Sequence, residues 1–131
     1  VRIVRRADGY YCQFCVDINV ESSLPLTGNQ VGLDVGLESF YVDSFGRPEP
    51  NPRFARKAER KIKFLQRRLS KKPKKTIRRL KAKKQLAKNH LRVSRQRTEY
   101  AKRLALRLCQ SNDLIAYEDL NVKGLAYLLI S

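Results

Sequence analysis

Acidic residues are scarce where this sequence is most charged. Residues 53 to 107 hold 24 Lys and Arg but only Glu59 and Glu99. Too few acids are present to offset the repulsion between cations three and four positions apart on a helix. Cysteine is also sparse, with three in 131 residues. An odd number argues against a disulfide framework and for a reducing compartment, the cytoplasm. No apolar run is long enough to span a bilayer, and no signal peptide is apparent at Val1. The seven-residue tail LAYLLIS reads as packing surface. The lone histidine, His90, has no partner at helical spacing and reads as a helix-surface or packing residue. Aromatics within 53 to 107 are limited to Phe54, Phe64 and Tyr100. That argues against base stacking as the main binding mode of this stretch.

What is present is positive charge, +17 overall with an isoelectric point near 10.3. Residues 53 to 107 carry a net +22 and the remainder a net −5. The chain is therefore a mildly acidic body with a very basic insert. Such a balance calls for a polyanionic partner, nucleic acid ahead of a membrane surface, and not a small-molecule substrate. The length is that of one domain with a modest core, and the apolar content excludes a disordered tail.

Along the chain, residues 1 to 20 read as a β-hairpin. RADGYY supplies the turn, and Cys12, Phe14, Val16, Ile18 and Val20 alternate with polar residues. Cys12 is expected in the core and Cys15 at the surface or an edge. The two cysteines are three apart, but on a strand they face opposite ways, and Cys109 and His90 lie on a distant helix, so zinc is not expected. ESSLPLTGN is a linker. QVGLDVGL is a strand with Val31, Leu33, Val35 and Leu37 on one face and Gly32, Asp34 and Gly36 on the other. SFYVDSFGR is a second strand closed by a turn at Ser44 to Gly46, and RPEPNP is loop. A helix is predicted from about Pro52, with Phe54, Ala58, Ile62, Leu65 and Leu69 as its apolar stripe. Pro73 breaks it. A second helix from about Lys74 to Gln110 carries Ile77, Leu80, Ala87, Leu91, Tyr100, Leu104 and Leu108. DLIAYE is a short apolar run, expected to be a strand covered on both faces as in a parallel sheet.

This order of strand, hairpin, long helices and buried strand opens an RNase H-like α/β fold. The last strand would lie parallel to the QVGLDVGL strand, bringing Glu118 at its carboxyl end towards Asp34. Two converging carboxylates repel unless a cation lies between them, and Mg²⁺ or Mn²⁺ is the natural occupant. Paired ions of this kind hydrolyse phosphodiesters. Glycines beside Asp34 would let a phosphate approach the sheet. The bland alternative is a strand end with a solvated aspartate. The other candidate acids are Asp43, Asp113, expected to cap or turn, and Asp119, expected to cap or orient the LNVKG turn.

VGLDVGLESFYVDSFGRPEPNPRFARKAERKIKF, then HLRVSRQRTEYAKRLALRL and LIAYEDLNVKGL, resemble the OrfB/TnpB transposase-associated family over about residues 29 to 125. That resemblance implies a transposon-encoded, RNA-guided DNA endonuclease with a RuvC-like nuclease domain, guide RNA and target DNA as partners, and a bacterial or archaeal cytoplasm. By it, Asp34 and Glu118 match catalytic, metal-binding acids. Residues 1–28 match the end of a β-barrel wedge domain plus linker. Residues 29–131 match a partial nuclease domain with a basic helical hairpin at 52–110. The family's third acidic ligand and zinc ribbon are not found, and Lys102 stands where many members carry histidine. The expectation is a truncated fragment, inactive alone.

The cations expected to bind nucleic acid are Arg53, Arg56, Lys57, Arg60, Lys63, Arg67, Arg68, Lys71, Lys72, Lys74, Lys75, Arg78, Arg79, Lys83 and Arg97. Bound phosphates would relieve their mutual repulsion and release counterions, and the pair would follow backbone shape rather than base sequence. A phosphate-binding ATPase also opens with Gly-x-Asp-x-Gly, but such an insert is foreign to it. The remaining alternative is a non-catalytic basic RNA- or DNA-binding protein.

Overall fold

The computed structural model describes residues 1–18 and 25–118. The expectations for Val20, Asp119, the NVKGL segment and the LAYLLIS tail lie outside the described residues. The chain is mixed α/β and divides into two compact units, Val1–Ser23 with Arg53–Leu104, and Leu24–Pro52 with Ala105–Ser131.

In the first unit, β1 (Arg2–Arg5) and β2 (Tyr10–Gln13) pair antiparallel from Arg2↔Gln13 to Arg5↔Tyr10. The Asp-Gly turn forms as expected, with the Arg6 amide donating to the Gly9 carbonyl at 2.8 Å. The predicted strand to residue 20 does not: β2 stops at Gln13, and residues 14–18 have no regular structure. Cys12 is exposed rather than in a core. A two-stranded ribbon has little surface with which to bury anything.

Helix α1 (Phe54–Ser70) starts after Arg53, which sits in the left-handed region at φ 48°, so Pro52 precedes the helix instead of opening it. Phe54, Ala58, Ile62 and Leu69 are half-buried and Leu65 is 4% exposed, so the whole predicted stripe faces inward. Helix α2 (Ile77–Ser111) has 35 residues. Phe54 meets Tyr100 edge to face, centroids 5.8 Å apart. At the other end Arg79 Nη1 donates to the carbonyls of Leu69 (2.9 Å) and Lys72 (2.8 Å). The two helices are therefore antiparallel, as predicted. Ile77 and Leu80, expected in the stripe, are 72% and 64% exposed, and Ala82 is buried instead. The Arg79 contacts fix the rotation of this first turn and carry those two side chains outward.

Thr76 sets the start of α2. Its hydroxyl accepts the Arg79 amide at 3.2 Å, an N-cap placement. Thr76→Ala is expected to cost about 1 kcal/mol in urea unfolding, and Thr76→Ser much less.

The second unit is a four-stranded sheet ordered β5-β4-β3-β6. Its strands are β3 (Gln30–Asp34), β4 (Ser39–Asp43), β5 (Pro48–Pro50) and β6 (Leu114–Tyr117). Val31 and Tyr41, 6% and 8% exposed, are its buried apolar residues. Strand β3 ends at Asp34, three residues short of the predicted strand, and Val35 and Leu37, expected on its apolar face, are exposed beyond it. RPEPNP, predicted as loop, contributes β5. Proline cannot donate to a ladder, but an edge strand does not need every donor. β6 pairs parallel to β3, as predicted. It is not covered on both faces: Leu114 and Tyr117 are 55% and 70% exposed, and β6 is an edge strand among the described residues. No helix among the described residues is long and apolar enough to cross a membrane.

Candidate functional site

The β3–β6 register runs Gln30↔Leu114, Val31↔Ile115, Gly32↔Ala116 and Leu33↔Tyr117. Asp34 ends β3, and Glu118 follows directly on the last residue of β6, Tyr117. Side-by-side residues of parallel strands point to the same face, with the strands about 4.8 Å apart. Both carboxylates line one shallow depression of about 450 Å³ with Gly32, Leu33, Val42, Asp43 and Ser44. Both are exposed, and neither has a hydrogen-bond or ion-pair partner among the described residues.

Asp43 shares the depression but is engaged elsewhere. One carboxylate oxygen accepts the amides of Phe45 (3.0 Å) and Arg47 (2.8 Å), and the other accepts Arg47 Nε at 2.8 Å. Burial of this carboxyl favours its neutral form, but these bonds from Arg47 and Phe45 outweigh it and hold the pKa below the ordinary value. They close the turn at Ser44 to Gly46, where Gly46 adopts φ 76°. Gly32 lies against this turn. Its amide donates to Ser44 Oγ at 3.2 Å, and a Cβ on it would stand in ordinary contact, 3.5 Å from the Ser44 Cβ, so the turn does not require glycine there.

Two contacts that the sequence did not reveal hold this arrangement. Asp113 accepts the Thr27 amide and hydroxyl (both 2.9 Å) and the Gly28 amide (2.7 Å). The Asp113 amide donates to the Asn29 carbonyl at 2.9 Å. This clamp joins the entrances of β3 and β6, next to the first pair of their register, Gln30↔Leu114. The Thr27 amide, then the Thr27 hydroxyl, lower the Asp113 pKa, with Gly28 adding to the effect against burial. The clamp is fully stabilising above the ordinary aspartate pKa of about 3.9 and is lost as pH falls through the lower folded value. Asp113→Asn should therefore be less stable at neutral pH and should lose less stability on acidification, both read by circular dichroism. At the other side of the sheet, Arg107 bonds Tyr41 and the Glu49 carboxylate, tying α2 to β4 and β5.

The predicted phosphate-binding cations are mostly open to solvent. Arg53, Arg56, Lys57, Arg60, Arg67, Arg68, Lys71, Lys74, Lys75, Arg78, Lys83 and Arg97 are exposed. Lys63 is exposed and pairs with Glu59 at 2.5 Å. Lys72 is half-buried, as is Arg79, whose guanidinium is turned to the carbonyls between the helices. Lys75 adopts φ 63° in the turn between them.

A larger groove of about 770 Å³ runs between the hairpin and α2, lined by Tyr11, Cys12, Arg95, Glu99 and Lys102 among others. Its lining acid, Glu99, binds Arg103 at 2.8 Å, and its Arg95 binds Asp8 at 2.6 Å and Tyr11 at 2.7 Å. It offers no free carboxylate pair. His90 is exposed on α2, and Cys12, Cys15 and Cys109 are free and exposed. Among the described residues no three His, Cys, Asp or Glu side chains gather as a metal site.

Residues 13–128 match the family model OrfB_IS605, described as "Probable transposase". The chain is 33% identical over 101 residues to a Streptomyces pristinaespiralis protein named "Putative RNA-guided DNA endonuclease". That alignment covers 77% of this chain and 25% of the relative, so the chain spans about a quarter of that protein's length.

Proposed function

Since the chain belongs to the OrfB_IS605 transposase family, we propose that it is a portion of an RNA-guided DNA endonuclease whose RNase H-like sheet presents Asp34 and Glu118 to a phosphodiester. The observation that supports this reading is the parallel β3–β6 pairing, whose last pair, Leu33↔Tyr117, comes one residue before each acid, together with the depression beside Ser44 that both acids line. The donor chemistry fits Mg²⁺ or Mn²⁺: both groups are hard oxygen ligands, neither is committed to a protein cation among the described residues, and their mutual repulsion favours a cation between them. When bound, such ions supply water activation and charge stabilisation at the leaving oxygen. Asp34 and Glu118 would hold such ions, and Asp113 would preserve the strand pairing beside them. Asp43 stabilises the turn and is not available as a further ligand while it grips Arg47.

The exposed cations of α1 and α2 bind RNA or an RNA–DNA heteroduplex through its backbone and do not read bases. Residues 1–28 serve as the end of a β-barrel wedge domain plus linker and 29–131 as part of the nuclease domain. Taken alone, the 131 residues are a nucleic-acid-binding unit without cleavage activity, because two carboxylates hold divalent ions weakly. The test is a hybrid in which this chain's matching segment replaces that of the Streptomyces relative. The hybrid should cleave guide-matched DNA with Mn²⁺ and not with EDTA. A well-folded hybrid that binds RNA but never cleaves would refute the reading.

A further inference from the structure

We propose that Phe45 is a stacking platform for an unpaired nucleobase at the edge of the Asp34–Glu118 depression, which makes single-stranded DNA the form of substrate this edge accepts. The inference deepens the phosphodiester reading above and rests on it for its meaning. Phe45 sits in the turn between β4 and β5 with 67% of its surface exposed. The preceding residue, Ser44, lines the depression itself. A lone exposed phenylalanine needs no explanation, but this one is built into a rigid support. The Arg47 guanidinium lies 4.9 Å from its ring centroid. Asp43 fixes that guanidinium through Nε at 2.8 Å and fixes the Phe45 amide at 3.0 Å. The Ser44 amide is anchored to the Gly32 carbonyl at 2.8 Å. Ring and cation are thus pre-positioned, and little ordering remains to be done on binding.

The Arg47 side chain is 73% exposed, and only its Nε is taken by Asp43. Its terminal nitrogens can meet the phosphate next to a base stacked on Phe45. A base within a duplex has both faces occupied, so the platform selects an unpaired nucleotide. Stacking of this kind tolerates any base. It therefore adds strand-state selectivity beside the two acids without adding sequence preference.

The chain contains no tryptophan, so Phe45→Trp places a single reporter at the platform and Phe64→Trp, on the basic α1, provides a control. Both are titrated to saturation with oligothymidylate in EDTA, with saturation followed by the anisotropy of a labelled strand. Phe45→Trp emission should be strongly quenched by the single strand and much less by the same strand in a duplex, while Phe64→Trp responds weakly to both. At salt high enough to screen the lysines, Phe45→Ala should bind the single strand about tenfold more weakly and Phe45→Tyr should retain affinity. Unchanged Phe45→Trp emission at saturation, equal quenching by duplex, or unaltered binding by Phe45→Ala would overturn the proposal. Because EDTA removes divalent ions, quenching without cleavage by the hybrid keeps the platform and removes the nuclease reading. Cleavage without quenching does the reverse.

Discussion

Asp34→Asn in the hybrid enzyme should lower Mn²⁺-dependent DNA cleavage by about a thousandfold or more, and Glu118→Gln should do the same, while guide-RNA binding should stay at its starting level. Metal-borne charge stabilisation contributes several kcal/mol to such transition states, and each 1.36 kcal/mol is tenfold in rate. Neither carboxylate holds a protein partner among the described residues, so the substitutions should leave stability nearly unchanged. Asp43→Asn provides the contrast from within the same depression. Its carboxylate holds Arg47 and the Ser44 to Gly46 turn, so that change should lower thermal stability and reduce cleavage by less than the other two. Equal losses at all three positions would mean that the depression responds to any disturbance and that Asp34 and Glu118 have no special role. Cleavage rates at saturating Mn²⁺ and thermal unfolding of the same three variants separate these outcomes.

The second large effect is electrostatic. If the two helices neutralise six to ten phosphates, affinity for RNA falls by about 10³ to 10⁵ between about 50 and 200 mM salt. Replacing Arg56, Lys57, Arg60, Arg67 and Arg68 by glutamine should weaken binding across unrelated sequences alike and flatten the salt slope by about one unit for each phosphate no longer neutralised. Arg79→Gln should act differently. Its guanidinium bonds the Leu69 and Lys72 carbonyls, so its loss should loosen the helical turn and leave the slope nearly unchanged. An affinity that is indifferent to salt would remove the backbone-binding account.

Local patterns revealed the parts of the fold that depend on local chemistry. Alternation put Asp34 on the other face from Val31 and Leu33, and the apolar LIAY run identified the strand that ends just before Glu118. Their parallel pairing then followed from the order of elements. The stripe on α1 was legible because its spacing requires one inward face. Pairings between distant residues left no such trace. Asp113 with Thr27 and Gly28, Arg107 with Tyr41 and Glu49, and Arg95 with Asp8 and Tyr11 become partners only once the strands and helices are placed. The Pro-Glu-Pro strand was hidden because its composition argues for a loop, and edge position alone makes it tolerable. Cys12 and Leu114 looked like core residues by composition, but nothing among the described residues covers the surfaces on which they lie. The two strands beside the candidate acids were thus readable from sequence, whereas the clamp between the entrances of those strands was not.

The most direct measurement is paramagnetic broadening by Mn²⁺ in the amide NMR spectrum of the isotopically labelled 131-residue chain. Substoichiometric Mn²⁺ should selectively erase resonances of Gly32, Leu33, Asp34, Ser44 and Glu118, and Asp34→Asn should restore them. Broadening that spreads over acidic residues without favouring this set, or that persists unchanged in Asp34→Asn, would contradict a shared divalent-ion site between residues 34 and 118.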